Sequence, residues 1–226
     1  MPAPFTWNNI FGFFYSKKFY EDVFQWLLPH ASFVQIGSLW GKSIAYIATR
    51  SKQTKKPLNI ISIDYGIIED PALLRRPQFK DMTETTGTLV DNLRKCGVLS
   101  LVTHIVEDSA KSAYLFADDS VEFVYIDALH TYEAVTRDIQ AWMPKIKIGG
   151  ILAGDDYGLP GEHRVKQAVD DVFGFECPMP DYKEYVWAVV KQQREGKVVF
   201  VPLHTLQPVL KVPYVTELTH ANPNLE

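Results

Sequence analysis

Cysteine is scarce in this chain: only Cys96 and Cys177 occur in 226 residues, and no Cys-x-x-Cys pair is present. Neither a disulfide framework nor a thiolate zinc site is expected, and a reducing, cytoplasmic setting is. Long apolar runs are missing as well. No stretch approaches the roughly 20 residues that span a bilayer. The aromatic start MPAPFTWNNIFGFFYSKKFY has neither the basic lead nor the cleavage site of a signal peptide. Positive charge is in deficit, with 23 Lys and Arg against 27 Asp and Glu, so nothing favours a nucleic-acid partner held through its phosphates. The basic group Lys52, Lys55 and Lys56 reads as a solvated loop. No internal repeat or low-complexity tract is present. What remains is 46% hydrophobic and 22% charged, an ordinary globular composition with enough chain for one well-buried α/β domain.

The pattern along the chain alternates. Phe19, Val23, Trp26 and Leu27 share one helical face in an N-terminal segment that Pro29 stops. SFVQIG, LNIISID, LVTHIVED, VEFVYID and GGILAGDD then read as strands, with KSIAYIATRS, GTLVDNLRKCG, SAKSAYLFA and TYEAVTRDIQAWMPKI as intervening helices. GEHRVKQAVDDVFG adds a helix and EYVWAVVKQ a late strand. These strands are continuous apolar runs, as expected when both faces of a parallel sheet are covered. The expected fold is therefore α/β and doubly wound. Residues 1–30 form an N-terminal helical segment, 31–192 the main domain and 193–226 an extension of one overall domain. Pro202, Pro208 and Pro213 interrupt that extension, which reads as an edge strand plus a segment lying across the domain or a partner. Asp64, Asp108, Asp127, Asp155 and Asp156 all fall at carboxyl ends of strands, where ligands bind in such sheets.

FVQIGSLWGKS ends like a phosphate-binding P-loop. A P-loop, however, has four residues between its first Gly and its Gly-Lys-Ser; Gly37 and Gly41 enclose only Ser38, Leu39 and Trp40, and Ile36 stands where Gly should be. The dinucleotide spacing Gly-x-Gly-x-x-Gly is absent too. The remaining reading is a glycine turn over which an uncharged nucleoside passes, with Gly37 leaving room for it and Gly41 allowing the tight entry to the helix. Asp64 is then placed to accept both ribose hydroxyls. A nucleoside that carries a reactive group and no phosphate points to S-adenosylmethionine.

Together VQIGSLWGKS, ISID, VEDSAKSA, FVYIDALHTYEAVTRDIQAW and KIGGILAGDDY resemble class I S-adenosylmethionine-dependent methyltransferases, and within them the macrocin- and mycinamicin-type sugar O-methyltransferases. The resemblance runs from Phe33 to Lys191 and implies a mostly parallel, seven-stranded Rossmann-like sheet with helices on both faces. It also implies that Gln35, Gly37, Ser38, Gly41 and Ser43 surround the amino-acid end of the cofactor, that Asp64 takes the ribose, and that Asp108 and Ser109 lie at the adenine, with Asp127 on the cofactor's edge. Gln35 departs from the acidic residue usual there. Read by themselves, Asp108 and Ser109 form a helix N-cap.

In that fold Asp127 and the pair Asp155 and Asp156 end adjacent strands, about 4.8 Å apart. Three carboxylates so close repel unless a cation or proton intervenes, so Mg²⁺ or Mn²⁺ is expected on Asp127, Asp155 and Asp156; the plainer alternative is that they cap turns and bind backbone amides. His130, three residues beyond Asp127, is the expected general base for an alcohol whose proton is otherwise hard to remove. His30, His104, His163, His204 and His220 read as structural or exposed. Tyr132 and Glu133 start a helix, and Tyr157 lines the acceptor pocket or packs in the core. The long loop YGIIEDPALLRRPQF is a candidate lid, with Arg75 or Arg76 either touching the acceptor or simply exposed.

The expected acceptor is a sugar hydroxyl on a small molecule or glycan, with a catechol-like phenol as the alternative. A non-catalytic cofactor-binding module and a P-loop kinase are the competing classes. Assembly with further copies of the chain is left open.

Overall fold

The computed structural model describes residues 4–68, 74–75, 84–159, 164–179 and 185–206. Chain order is α1 (Lys17–Trp26), β1 (Ser32–Ile36), α2 (Lys42–Thr54), β2 (Asn59–Asp64), α3 (Thr86–Lys95), β3 (Val102–Val106), the single turn α4 (Ser109–Ser112), β4 (Val121–Ile126), α5 (Tyr132–Trp142), β5 (Ile146–Gly154), α6 (Val165–Phe173), β6 (Trp187–Arg194) and β7 (Lys197–Pro202). The seven strands form one sheet in the order β3-β2-β1-β4-β5-β6-β7. β1 to β5 run parallel, whereas β6 and β7 are antiparallel to their neighbours. Thus β7, in the proline-interrupted stretch, supplies the edge strand. Glu195 and Gly196, both with positive φ, make the two-residue turn from β6. The tail 207–226, the lid loop beyond Ile68 apart from Leu74 and Arg75, and His163 lie outside the described residues.

The central strands are apolar because both faces are covered. One face buries Phe33, Phe123 and Tyr125 against α1 and α2; the other buries Val34, Val124 and Leu152 against α5 and α6. On α1 the buried stripe is Phe19, Tyr20, Val23, Phe24 and Leu27, while Trp26 is only partly covered. Phe19, Val23 and Leu27 of the expected face are buried, and Tyr20 and Phe24 join them in place of Trp26: Tyr20 reaches Phe33, whose ring centroid lies 5.1 Å away, and Tyr125, 5.0 Å away. β5 begins at Ile146, earlier than expected, because its first residues pass a register shift opposite Val121–Phe123 before regular pairing resumes. Among the described residues no helix is long and apolar enough to cross a membrane.

Strand order reverses between β1 and β4: β1 leads outward to β2 and β3, whereas β4 leads to β5 on the other side. Crevices form at the carboxyl ends of strands at such a switch point. The register puts Ile36 beside both Ile63 and Ile126, and Ile126 beside Gly154. The chain segments that follow these residues therefore surround one opening.

Candidate active site

A cleft of about 860 Å³ occupies the switch point, a volume sufficient for a nucleoside and part of a second molecule. Gln35, Gly37, Ser38, Ser43, Asp64, Asp108, Ser109, Asp127, His130, Asp155 and Asp156 all line it. Gly41 does not. It has φ +81° and forms the left-handed N-cap of α2, where a Cβ would stand 3.0 Å from the Leu89 side chain. Its contribution is the tight helix entry.

The glycine turn is held from inside the protein. The amides of Ser38 and Leu39 donate to one oxygen of Asp64, at 2.8 and 2.9 Å, and the amide of Gly66 and hydroxyl of Thr85 donate to the other, at 2.9 and 3.0 Å. Amides that would wrap a phosphate thus already hold a carboxylate, which excludes the P-loop reading on charge as well as spacing. Asp64 anchors the turn first, and a ribose diol would share oxygens that already accept four donors. At Gly37, with φ +78°, a Cβ would stand 1.7 Å from the carbonyl oxygen of Asp127. The missing side chain thus makes room for the β4 loop at a position that also lines the cleft.

Gln35 is buried, accepts from the Ser43 hydroxyl at 2.9 Å and donates to the Gly37 carbonyl at 2.9 Å. The departure from an acidic residue has a physical basis: this carbonyl requires a donor, and a carboxylate would face it lone pair to lone pair. At the other end of the cleft Asp108 caps α4 by accepting from the Lys111 amide at 3.0 Å, and its second oxygen lies 3.2 Å from Arg137. Its N-cap role is therefore present, and the ion pair takes its other oxygen.

The acidic groups divide. Nε2 of His130 lies 2.8 Å from Oδ2 of Asp156 and 4.0 Å from Oδ1 of Asp127. Asp127, His130 and Asp156 offer ligand atoms all within 4.8 Å of one another. Asp155 is not among them. Its Oδ2 accepts from Ser16 at 2.9 Å and its Oδ1 from the Asp156 amide at 3.0 Å. The Tyr125 hydroxyl completes a chain by donating to Ser16 at 2.6 Å. Of the expected metal set, Asp127 and Asp156 thus come together beside His130, while the oxygens of Asp155 are engaged elsewhere. The two carboxylates suit a hard divalent ion of the Mg²⁺ or Mn²⁺ kind, whereas an imidazole in the set would suit a softer first-row ion.

Electrostatics follow the same division. Burial, then the charges of Asp127 and Asp156, pushes the Asp155 carboxyl well above the usual range. Burial also raises Asp127; His130 counteracts this, while Asp156 and Asp64 add to it. Loss of hydration raises Tyr20 and Tyr125, which stay neutral beside the acids.

Several lining residues escaped the sequence reading. Ser16 stands at the N-cap position of α1, yet its hydroxyl donates to Asp155. Asp138 had a visible signal: it stands on α5 in the buried stripe Ala134, Val135, Asp138, Ile139 and Trp142, and a carboxylate on an apolar face calls for a reason. Burial raises its pKa to about 6. Tyr157 is a core residue, with its hydroxyl donating to Asp170 at 2.6 Å. Thr131 caps α5 by accepting from the Ala134 amide, so Tyr132 and Glu133 do begin that helix.

A protein-family profile described as a methyltransferase domain matches residues 34–157. The O-methyltransferase NovP is similar in structure, with 16% identity, a TM-score of 0.58, and 79% of this chain and 78% of NovP covered. The cofactor-bound protein Rv0187 from MTB matches at 17% identity and TM-score 0.51, over 74% of this chain and 70% of its own. An SAM-dependent O-methyltransferase from Thermotoga maritima matches at 13% identity and TM-score 0.50, covering 86% of this chain and 62% of that protein. At such identities the likeness is one of fold. The profile spans more than half of the chain, including the glycine turn, Asp64, Asp127, His130 and the Asp155–Asp156 pair, and the chain belongs to the methyltransferase-domain family.

Proposed function

We propose that the protein is an S-adenosylmethionine-dependent O-methyltransferase acting on a sugar or glycoconjugate hydroxyl, with a divalent ion held at Asp127 and Asp156. The observation that carries this reading is the Asp127–His130–Asp156 cluster, which faces the same cleft as the glycine turn and the Asp64 anchor. When bound, the cofactor supplies an electrophilic methyl group, and the ion makes a coordinated hydroxyl more acidic.

The chain's own residues supply positioning and proton transfer. Asp64, Gln35 and Ser43 keep the glycine turn rigid beneath the donor, so the reacting groups meet with little loss of orientational freedom. The His130 imidazole takes the acceptor proton, and Asp156, 2.8 Å from Nε2, stabilises the imidazolium that results. Asp155 fastens Ser16 through its Oδ2.

The test is methyl transfer from labelled S-adenosylmethionine to a panel of glycosides and catechol, with Mn²⁺ or with EDTA. Transfer to glycosides is expected only with the ion. His130→Ala is expected to lose about 10²- to 10⁴-fold in kcat while S-adenosylhomocysteine and Mn²⁺ still bind. Loss of Mn²⁺ binding in that variant would make His130 a metal ligand instead of a base. Transfer to catechol alone would move the reading to a phenol.

A further inference from the structure

His104 has no part in the chemistry just described, yet hydrogen bonds connect it to the cleft. It stands on β3, at the edge of the sheet, beside Ser62 of β2 in the strand register. Its Nδ1 lies 3.0 Å from the Ser62 hydroxyl, which donates to the Ser38 hydroxyl at 2.8 Å. Ser62 and Ser38 are both buried, and Ser38 lines the cleft. Three polar side chains thus form a row from the edge of the sheet to the glycine turn.

The far side of the ring sets the direction of this row. Nε2 of His104 is buried and has no hydrogen-bond partner among the described residues. A buried N–H with no acceptor is rarer than a buried acceptor with no donor. Burial lowers the pKa of His104, against the charge of Asp64 and the Ser62 backbone, so at neutral pH the ring carries a single hydrogen. That hydrogen belongs on Nδ1, where the Ser62 oxygen receives it. Ser62 then turns its own hydrogen to Ser38. The Ser38 oxygen, already accepting, keeps its hydrogen to give.

We infer that His104 is a positioning residue for the cofactor: through Ser62 it fixes the Ser38 hydroxyl as a donor to a ribose oxygen of the nucleoside that Asp64 would hold. This rests on the cofactor site of the proposed reading and is indifferent to its acceptor. The glycine turn sets the place of the donor, since the Ser38 amide is 2.8 Å from Oδ2 of Asp64. A ribose hydroxyl that donates to that carboxylate still has lone pairs to fill, and a serine O–H beside it supplies the partner. In a row running the other way, the Ser38 hydrogen would turn to Ser62. The ribose hydroxyl would then face two acceptors, Ser38 and Asp64, with one hydrogen to give.

The test begins with long-range proton–nitrogen NMR of the ¹⁵N-labelled full chain at neutral pH, with His104→Asn identifying the His104 signals. Nδ1 is expected to carry the hydrogen and Nε2 to be bare; a hydrogen on Nε2 overturns the inference. Calorimetry then compares S-adenosylhomocysteine with its 2′-deoxy and 3′-deoxy analogues. In the unaltered protein, loss of one of the two hydroxyls should cost about three- to tenfold more affinity than it does in Ser38→Ala or His104→Leu. His104→Asn keeps a donor near the Nδ1 position and should retain the full cost. A structural role alone would weaken all three ligands by one factor. That result, or a His104→Asn no different from His104→Leu, keeps the cofactor site and overturns the positioning role. If S-adenosylhomocysteine fails to bind the unaltered protein, the cofactor site and the ribose contact fall together, and the tautomer still decides the direction of the row.

Discussion

Single side chains near the cleft are set by what surrounds them more than by their type. Gly37 is required by the Asp127 carbonyl, so Gly37→Ala should cost about 3 kcal/mol or more, a clash with backbone having no flexible side chain to yield; urea unfolding of the two proteins checks this. Gln35→Glu would set a carboxylate against the Gly37 carbonyl, and S-adenosylhomocysteine affinity, measured by calorimetry, should fall. Asp138 makes a pH-dependent prediction. Burial raises its pKa to about 6, above the unfolded value, so the folded protein keeps a proton that the unfolded chain releases between about pH 4 and pH 6. Stability from this group is present below that window and is lost as pH rises through it, by roughly 3 kcal/mol in all. In Asp138→Asn that loss disappears, and the curve of stability against pH should be flatter over those two units. Identical curves for the two proteins would show that the carboxyl is already ionised at pH 5.

At the scale of elements, α1 illustrates how a helix start can be diverted. Ser16 stands at the cap position, but its side chain makes no cap hydrogen bond and instead links Tyr125 to Asp155. This ties the N-terminal segment to the ends of β4 and β5. Ser16→Ala leaves both Tyr125 and Asp155 short of a buried partner and should destabilise the protein by about 1–3 kcal/mol, read as a lower thermal midpoint. The parallel, doubly wound sheet was legible from the alternation of apolar runs and amphipathic helices. On α1 Phe19, Val23 and Leu27 were legible too, but not the edge of that face, because Tyr20 and Trp26 are both aromatic and only the position of Phe33 and Tyr125 decides which one is buried.

The whole molecule places its chemistry where β1 and β4 diverge, and two cores on opposite sides of the sheet hold that divergence rigid. Phe123 sits at the centre of one core, 0% exposed, its ring 4.7 Å from Phe33 and 6.2 Å from Phe19. Phe123→Ala should therefore cost about 3–5 kcal/mol, measurable as a lower urea midpoint, and should weaken cofactor binding only through loss of folded protein.

By itself the sequence determined the doubly wound sheet, the glycine turn and the acids at the strand ends, because helix and strand periods and strand termini are local features of the chain. Only the tertiary structure decided which acids meet. Asp155 follows β5 directly and reaches Ser16, whereas Asp156, with φ +61°, turns to meet His130. Spacing along the chain cannot separate two adjacent aspartates. A left-handed backbone at the second one can, since it sends their carboxyls in different directions, toward partners that lie 139 and 26 residues away in the sequence.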